Sequence, residues 1–333
     1  MGSDALIMSR PVDDNHEWSP RNIVFMGWVG DEEATYDGLK TALRYMLESG
    51  RRGYVGFGSD IGGYNANSKA GKLGRTKELF LRWTAIGALS SFMENGGEGE
   101  HLPWNFDNET IDIYRQWVNL HYSLIPYLYS EGTMAALSHN SSLMTPCDDL
   151  QCTFSYAYYL GRSIYVVPVL HDPIPNQRQR IWLPSSSTGH WISGFNGSIE
   201  HKARSFIQED TSHLDRIPFY VQKGTLMPMY DLEQNIDLNI YKFVLWGKTI
   251  ENQPITNGSL FTRDGQQWLL QIDHSEKRLI TKFISWHRSN DESSMKMVNY
   301  LWRFCQFSNE KLICTKDSIQ LIDRSVQYLD NLS

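Results

Sequence analysis

Two aspartates follow short apolar segments in a way that suits acid–base chemistry. Asp31 ends the sequence Trp-Val-Gly-Asp after the apolar run 23–26, and Asp60 lies in Gly-Ser-Asp-Ile-Gly-Gly-Tyr after the run 54–57. Acids at the carboxyl ends of neighbouring parallel strands meet at one rim of a β/α barrel. Paired carboxyl groups in an aromatic, glycine-rich setting are typical of sites that cleave glycosidic bonds. The two positions therefore predict sugar chemistry.

The segments around these acids are predicted to alternate between strand and helix. Strands are expected where short apolar runs end in turns, at Ala5–Met8, Ile23–Trp28, Tyr54–Phe57 and Ala88–Met93. Apolar residues at helical spacing begin at Leu39 and at Leu79, and they recur between 111 and 128. This order predicts about four β/α units, half of the eight in a complete TIM barrel.

The pattern changes after about residue 145, where short apolar strands alternate with turns that contain glycine and proline. The predicted fold class is therefore α/β plus all-β: a partial (β/α)8 TIM barrel, its second half, followed by C-terminal β-sandwich domains. The predicted boundaries are 1–140 for the half-barrel, 141–232 for a proximal β-sandwich and 233–333 for a partial distal β-rich domain.

Composition and charge narrow the possible partners. The formal net charge of -7 argues against a nucleic-acid partner, which needs a basic face. No apolar run has the ~18 residues that would predict a membrane span. Aromatic residues make up 13% of the chain, which suits both sugar stacking and large cores.

The sequence also carries features of the secretory pathway. The four cysteines allow three disulfide connectivities, and residues 147 and 152 or 305 and 314 would each close a small loop. Glycosylation sequons begin at asparagines 108, 140, 196, 257 and 331. The sequons favour a secretory, lysosomal or extracellular protein. The first residues do not resemble a signal peptide, so either the protein is cytosolic or its natural N-terminus lies elsewhere.

Three segments in the first part of the chain resemble glycoside hydrolase family 31, which contains α-glucosidases, α-xylosidases and sulfoquinovosidases. These segments are Trp28–Asp31, Gly58–Tyr64 and Glu94–His101, in that order. Later segments, including Tyr159–Val169 and Ile217–Gly224, resemble the proximal β-sandwich of the same family. The resemblance extends from about residue 5 to about residue 230.

The resemblance implies a role for each candidate residue. Asp31 matches the general acid/base of the family. Asp60 matches an acid of the same pocket that supports substrate binding and is not the proton donor. The other matches are to positions that bind sugar hydroxyls or flank the sugar ring: Arg10, His101, Trp28 and Tyr64. We expect these side chains to converge at one rim, to bind a carbohydrate substrate and to require no cofactor or metal.

One part of the family pattern has no match. The family nucleophile is an Asp on an earlier strand, in a motif that resembles Trp-x-Asp-Met-x-Glu, and nothing before Asp31 resembles it. Asp107 lies in a similar sequence, but its position after His101 is wrong for this role. The chain is therefore expected to correspond to the C-terminal part of a retaining α-glucosidase-like enzyme, without the nucleophile. The alternative is an inactive fragment or pseudoenzyme that binds sugar or protein.

Each candidate residue also has a structural interpretation. Asp31 could be a solvated acid in the first turn of a helix, because two glutamates follow it. Asp60 could cap a turn, and Arg10 could close a salt bridge at the barrel rim. His101 could be a hydrogen-bonded structural histidine, and the two aromatic side chains could belong to the core.

Overall fold

The computed structural model describes residues 10, 17–21, 24, 26–138, 141–152, 156–232, 240–247, 255–262, 265–273, 278–286, 301–308, 311–314, 319–320 and 326–328. The strand predicted at Ala5–Met8 and the sequons at 140 and 331 lie outside these residues. Within the described part, no helix is long and apolar enough to cross a bilayer.

The first part of the chain contains most of the helical structure. Its elements are β1 (Met26–Trp28), α1 (Tyr36–Arg51), β2 (Gly56–Gly58), α2 (Lys77–Ala88) and α3 (Asn108–Ser138). Single 3-10 turns lie at Ser68–Ala70 and Pro103–Asn105.

Strands account for the regular structure that follows. They are β3 (Met144–Pro146), β4 (Tyr158–Leu160), β5 (Ile164–Val166), β6 (Arg178–Leu183), β7 (His190–Ser193), β8 (Glu200–Lys202), β9 (Ser205–Asp210), β10 (Phe219–Gln222), β11 (Leu226–Tyr230), β12 (Ile240–Leu245), β13 (Ile255–Phe261), β14 (Gln266–Asp273), β15 (Arg278–Trp286), β16 (Leu301–Ser308), β17 (Lys311–Cys314), β18 (Ile319–Gln320) and β19 (Val326–Tyr328). The short strands and turns predicted after about residue 145 are confirmed, whereas their packing as a sandwich stays a prediction.

The chain divides into two compact units: one holds 1–121, 134–184 and 206–218, and the other holds 122–133, 185–205 and 219–333. In the first unit β1 and β2 are parallel, with Met26 opposite Gly56 and Trp28 opposite Gly58. Helix α1 connects them, which is the βαβ arrangement expected from the sequence.

Local sequence explains why α1 forms where it does. The Thr35 hydroxyl accepts a hydrogen bond from the Gly38 amide at 3.0 Å and so caps the first turn. The predicted apolar stripe is buried, since Leu39, Leu43 and Met46 are at most 1% exposed. Helix α2 is likewise capped, by Thr76, and its residues 79–88 are all buried.

The strand predicted at Ala88–Met93 is wrong. Helix α2 extends to Ala88, and the amide of Leu89 still donates to the helix carbonyls of Ala85 and Ile86. The Ser90 hydroxyl then bonds locally to the carbonyls of Gly87 and Phe92. These local bonds turn an apolar run into a helix end, and pairing resumes only at Glu94, which forms a single parallel bridge with Asp60.

The second unit is built mainly from sheets. Strands β10, β7 and β8 are antiparallel neighbours, β13, β14, β15 and β19 form a second antiparallel set, and β12 pairs in parallel with β16. Its core contains Phe243, Leu260, Leu270, Ile272 and Leu279, each fully buried.

Two disulfides settle the connectivity that the sequence left open. Cys147 is bonded to Cys152, and Cys305 is bonded to Cys314. The second bond joins residues that lie opposite each other on β16 and β17. Both pairs are therefore the short-loop pairs.

Candidate active site

Asp31 lies just beyond the end of β1, and Arg10 lies beside it. The Nη1 atom of Arg10 is 3.9 Å from Oδ2 of Asp31, and both side chains are partly exposed, at 36% and 44%. Gly30 makes this approach possible, because a Cβ there would lie 2.7 Å from Nε of Arg10. Its φ of +117° is also one that other residues rarely adopt. The side-chain Nδ2 atom of Asn65 donates a hydrogen bond to the Asp31 carbonyl at 2.6 Å.

Asp60 lies two residues beyond the end of β2 and is only 7% exposed. Its backbone pairs with Glu94 through a parallel bridge, in which the Ile61 amide donates to the Glu94 carbonyl at 3.1 Å. A Cβ at Gly96 would lie 2.8 Å from Oδ1 of Asp60. The absence of a side chain at Gly96 therefore leaves room for the Asp60 carboxyl group.

Two glutamates that the sequence did not single out join this site. Burial raises the pKa of Glu32 to about 7, with smaller contributions from Asp60 and Asp31 and an opposing one from Arg10. Burial likewise raises the pKa of Glu94 to about 7, and the neighbouring Asp60 adds to this effect. The pKa of Asp60 itself is raised to about 6, first by burial and then by the charge of Asp31.

The position of Glu32 follows from backbone pairing. The Asn65 amide donates to the Glu32 carbonyl at 3.0 Å, and the Ala34 amide donates to the Asn65 carbonyl at 2.9 Å. Along this extended segment Asp31 and Glu33 are exposed whereas Glu32 is half-buried. Strand alternation beyond an apolar run is the sequence signal that could have identified Glu32.

His101 lies beside the same turn and is 9% exposed. Its Nδ1 atom is 3.1 Å from the Ile61 carbonyl, which can only accept, so Nδ1 carries the proton. The His101 backbone carbonyl accepts a hydrogen bond from the side-chain Nδ2 atom of Asn95 at 3.1 Å. The first bond orients the ring and the second holds the His101 backbone, while Nε2 is left as an acceptor in the neutral form.

Four polar atoms of these side chains are buried without a hydrogen-bond partner in the described part of the chain. They are Oε2 of Glu32, Oδ2 of Asp60, Oε1 of Glu94 and Nε2 of His101. Unpaired buried polar atoms are rare in folded proteins and suggest a water or a ligand. A ligand that carries several hydroxyl groups would supply both donors and acceptors to such a set.

The two predicted aromatic positions lie at the end of β1 and in the turn region that follows β2. Trp28 is the last residue of β1 and is half-buried. Tyr64 is 37% exposed, and its carbonyl accepts a bond from the Glu98 amide at 2.8 Å. Contact of either ring with a sugar stays a prediction.

Asp107 has a structural role. Its Oδ1 atom accepts a bond from the Thr110 amide at 2.7 Å in the first turn of α3, and its Oδ2 atom pairs with Lys77 at 2.7 Å. The Lys77 bond and the Thr110 bonds lower the pKa of Asp107 to about 2. These contacts explain Asp107 without any part in catalysis. The described residues contain no group of three or more His, Cys, Asp or Glu arranged to hold a metal ion.

Two regions of the chain match models of known families. Residues 21–131 match the family model described as the glycosyl hydrolases family 31 TIM-barrel domain. Residues 139–227 match the model described as the glycosyl hydrolase family 31 C-terminal domain. The acids beyond β1 and β2 lie in the first region, and many of the short strands lie in the second.

Individual proteins show the same relationship. The chain is 28% identical over 221 residues to "Alpha-xylosidase XylQ" of Lactiplantibacillus pentosus, an alignment that covers 61% of the chain and 27% of that protein. The fold is similar to a GH31 alpha-xylosidase from Xanthomonas citri, with a TM-score of 0.68 at 16% identity, over 91% of the chain and 35% of the other. It is also similar to a GH31 dextranase from Flavobacterium johnsoniae complexed with glucose, with a TM-score of 0.63 at 20% identity, over 84% and 36% of the two chains. The chain thus spans about a quarter of the length of the curated relative.

Proposed function

The chain belongs to glycosyl hydrolase family 31, and on this basis we propose that it is part of a retaining enzyme that hydrolyses the O-glycosidic bonds of α-glucosides or related α-glycosides. The observation that carries the proposal is the set of unpaired buried polar atoms beyond β1 and β2. Carboxyl groups and a neutral imidazole suit the hydroxyl groups of a carbohydrate.

Asp31 is the proposed general acid/base. In the first step a nucleophilic carboxylate attacks the anomeric carbon, and the bond to the leaving oxygen breaks as Asp31 gives that oxygen its proton. In the second step Asp31 takes a proton from the water that displaces the enzyme carboxylate and releases the sugar. The partly exposed Asp31 side chain is accessible for both transfers. The nucleophile is expected on an earlier barrel strand in the whole protein.

The buried groups are proposed to bind the sugar. A carboxyl group whose pKa lies near 7 can donate a hydrogen bond when protonated and accept one when ionised. Glu32 and Glu94 have such pKa values, and the charge of Asp60 helps to raise both of them. Together these carboxyl groups can donate hydrogen bonds to sugar hydroxyls or accept hydrogen bonds from them. Arg10 can only donate, and it does so to hydroxyls beside Asp31.

A second candidate function is that of a sugar-binding or protein-binding module without turnover. It is kept because no nucleophile motif of the family is recognised in this sequence. Sugar binding that stays without turnover after the chain is joined to the family segment that carries the nucleophile would favour this function.

Hydrolysis of p-nitrophenyl α-glucoside and p-nitrophenyl α-xyloside tests the proposal. We expect negligible turnover by the chain alone, and measurable turnover once it is joined to the family segment that carries the nucleophile. Asp31→Ala should then lower turnover of natural substrates by orders of magnitude, with a smaller loss in the first step for substrates with good leaving groups. Added azide should restore the second step, because it replaces the water that Asp31 activates.

A matched variant separates catalysis from general damage. Asp37 is also an acid that follows this segment, but its side chain is 91% exposed and pairs with Lys40 on α1. Asp37→Ala should therefore leave turnover almost unchanged. Near-full turnover of natural substrates by Asp31→Ala would show that the acid/base assignment is wrong.

A further inference from the structure

Arg75 is a buried cation that bonds almost entirely to the backbone. It is 1% exposed. Its guanidinium group donates to five carbonyl oxygens, those of Gly62, Gly63, Leu73, Glu98 and Glu100. Four of these bonds have lengths of 3.1, 2.9, 3.3 and 2.6 Å, in the order given. An arginine presents five N–H donors in a rigid plane, and no other side chain can serve these carbonyls at once.

Four of the five carbonyls that Arg75 holds belong to the two segments that carry the candidate site. Gly62 and Gly63 follow Asp60, and residues 98–100 precede His101. Gly62 has a φ of +90°, and a Cβ there would lie 2.7 Å from Cδ of Arg75. The chain therefore turns tightly around this side chain. Burying a charged group costs several kcal/mol unless its hydrogen bonds are made, so the five bonds have to form together.

The charge of Arg75 also acts on His101. Burial lowers the pKa of His101, and the nearby Arg75 charge lowers it further. The backbone carbonyl groups of Ile61 and Glu98 and the charge of Glu100 oppose this lowering of the pKa, but the net direction is downward. His101 is therefore neutral around pH 7, with its proton on Nδ1 facing the Ile61 carbonyl.

We propose that Arg75 is a positioning residue of the sugar site: it holds the turn after Asp60 against the loop before His101, and thereby presents Nε2 of His101 as an acceptor for a sugar hydroxyl. This inference rests on the proposed function for its ligand. The competing explanation is that Arg75 only stabilises the fold and does not fix which ring nitrogen of His101 carries the proton.

The first test needs no sugar. Nitrogen-15 NMR of the whole chain, with His101 assigned by comparison with His101→Gln, reports the tautomer and the titration midpoint. We expect the Nδ1–H tautomer. Arg75→Met should move the His101 midpoint upward, because it removes the cation. Arg75→Lys should keep the midpoint low, because the cation remains. Release of the Glu98 and Glu100 carbonyls should loosen this loop, so the amides of the same two residues, which donate to Tyr64 and Leu73, should lose protection against hydrogen exchange.

Two outcomes would overturn the inference in this arm. One is an Nε2–H tautomer in the unaltered chain, and the other is a folded Arg75→Met variant in which His101 titrates as before. If Arg75→Met does not fold, the tautomer of the unaltered chain and the protection pattern of Arg75→Lys still decide the result.

The second test shows whether His101 accepts a hydrogen bond from the sugar hydroxyl or donates one to it. Binding of methyl α-D-glucoside is compared with that of its deoxy and deoxyfluoro analogues, because fluorine accepts a hydrogen bond weakly but cannot donate one. At the hydroxyl that His101 contacts, both replacements should weaken binding by a similar factor, and that loss should vanish in His101→Ala. A fluoro analogue that binds like the parent sugar at that position would show that His101 donates. Failure of every sugar to bind would refute the proposed function and the hydroxyl contact, whereas the NMR arm would still decide the role of Arg75.

Discussion

Glu94→Gln should stabilise the protein at high pH while it weakens the candidate site. The Glu94 carboxyl group is held beside Asp60, and burial is the main reason that its pKa is raised. Between its ordinary pKa and the raised one, the folded chain keeps a proton that the unfolded chain has lost. Stability therefore falls as the pH rises through this interval: the favourable contribution is complete below pH 4.5 and is lost above about pH 7.

The size of the effect follows from the same values. A change from 4.5 to about 7 corresponds to about 3 kcal/mol, since one pKa unit is about 1.4 kcal/mol. Solvent reaches part of the half-buried side chain and screens the charge. We therefore expect Glu94→Gln, which cannot ionise, to raise the free energy of unfolding at pH 8 by about 1–2 kcal/mol more than it does at pH 5.

Urea unfolding at the two pH values measures this difference directly. Any packing defect of the glutamine is present at both pH values and cancels in the comparison. Glu33→Gln is the matched control, because it makes the same substitution at an exposed position of the same unit; its effect on the free energy of unfolding should be small. An equal shift at pH 5 and pH 8 for Glu94→Gln would falsify the reasoning, because it would mean that the folded chain does not retain the Glu94 proton.

Three further predictions concern the framework of the first unit. Arg82 is fully buried and donates to three carbonyls of residues 211–216, so Arg82→Lys should lower the free energy of unfolding by about 2–4 kcal/mol in urea titrations, and an unchanged midpoint would contradict this. Gly96→Ala places a methyl group against Asp60, so sugar binding measured by calorimetry should fall while the melting temperature changes little; retained binding would show that the carboxyl group is free to move. Peptide mapping without reductant should recover Cys147 linked to Cys152, and a link from either to another cysteine would refute the pairing.

The sequence predicted best what depends on local order along the chain. Asp31 and Asp60 follow strands that pair in parallel, because an apolar run followed by glycine and an acid reads as a strand end. The helical stripe from Leu39 was also correct, since its period is set by the helix itself. The Ala88–Met93 prediction failed because a short apolar run fits a buried helix end as well as a buried strand. Hydrogen bonds of Ser90 decided between them.

The site residues that the sequence missed depend on contacts between distant segments. The pairing of its segment with Asn65 turns Glu32 inward, and the alternation along residues 31–33 hints at this only once the segment is known to be extended. Arg75 lies in a polar stretch that resembles an ordinary loop, and its importance is visible only when its five carbonyl partners are brought together. Sequence reasoning identifies acids at strand ends, whereas the bonds of Arg75 to distant backbone carbonyls are visible only in the folded chain.

The electrostatics of the first unit are consistent with selection for ligand binding rather than for stability. Three carboxyl groups whose pKa values are all raised mainly by burial make the folded state less stable near neutral pH. A structural core would replace them with apolar side chains, as buried charges often can be without loss. Their presence beside His101, with unpaired atoms on each of the four side chains, is understandable if a polyhydroxyl ligand completes the hydrogen bonds. The buried Arg75 fits this view, because its five bonds hold the backbone in a region where four neighbouring side chains carry unpaired polar atoms.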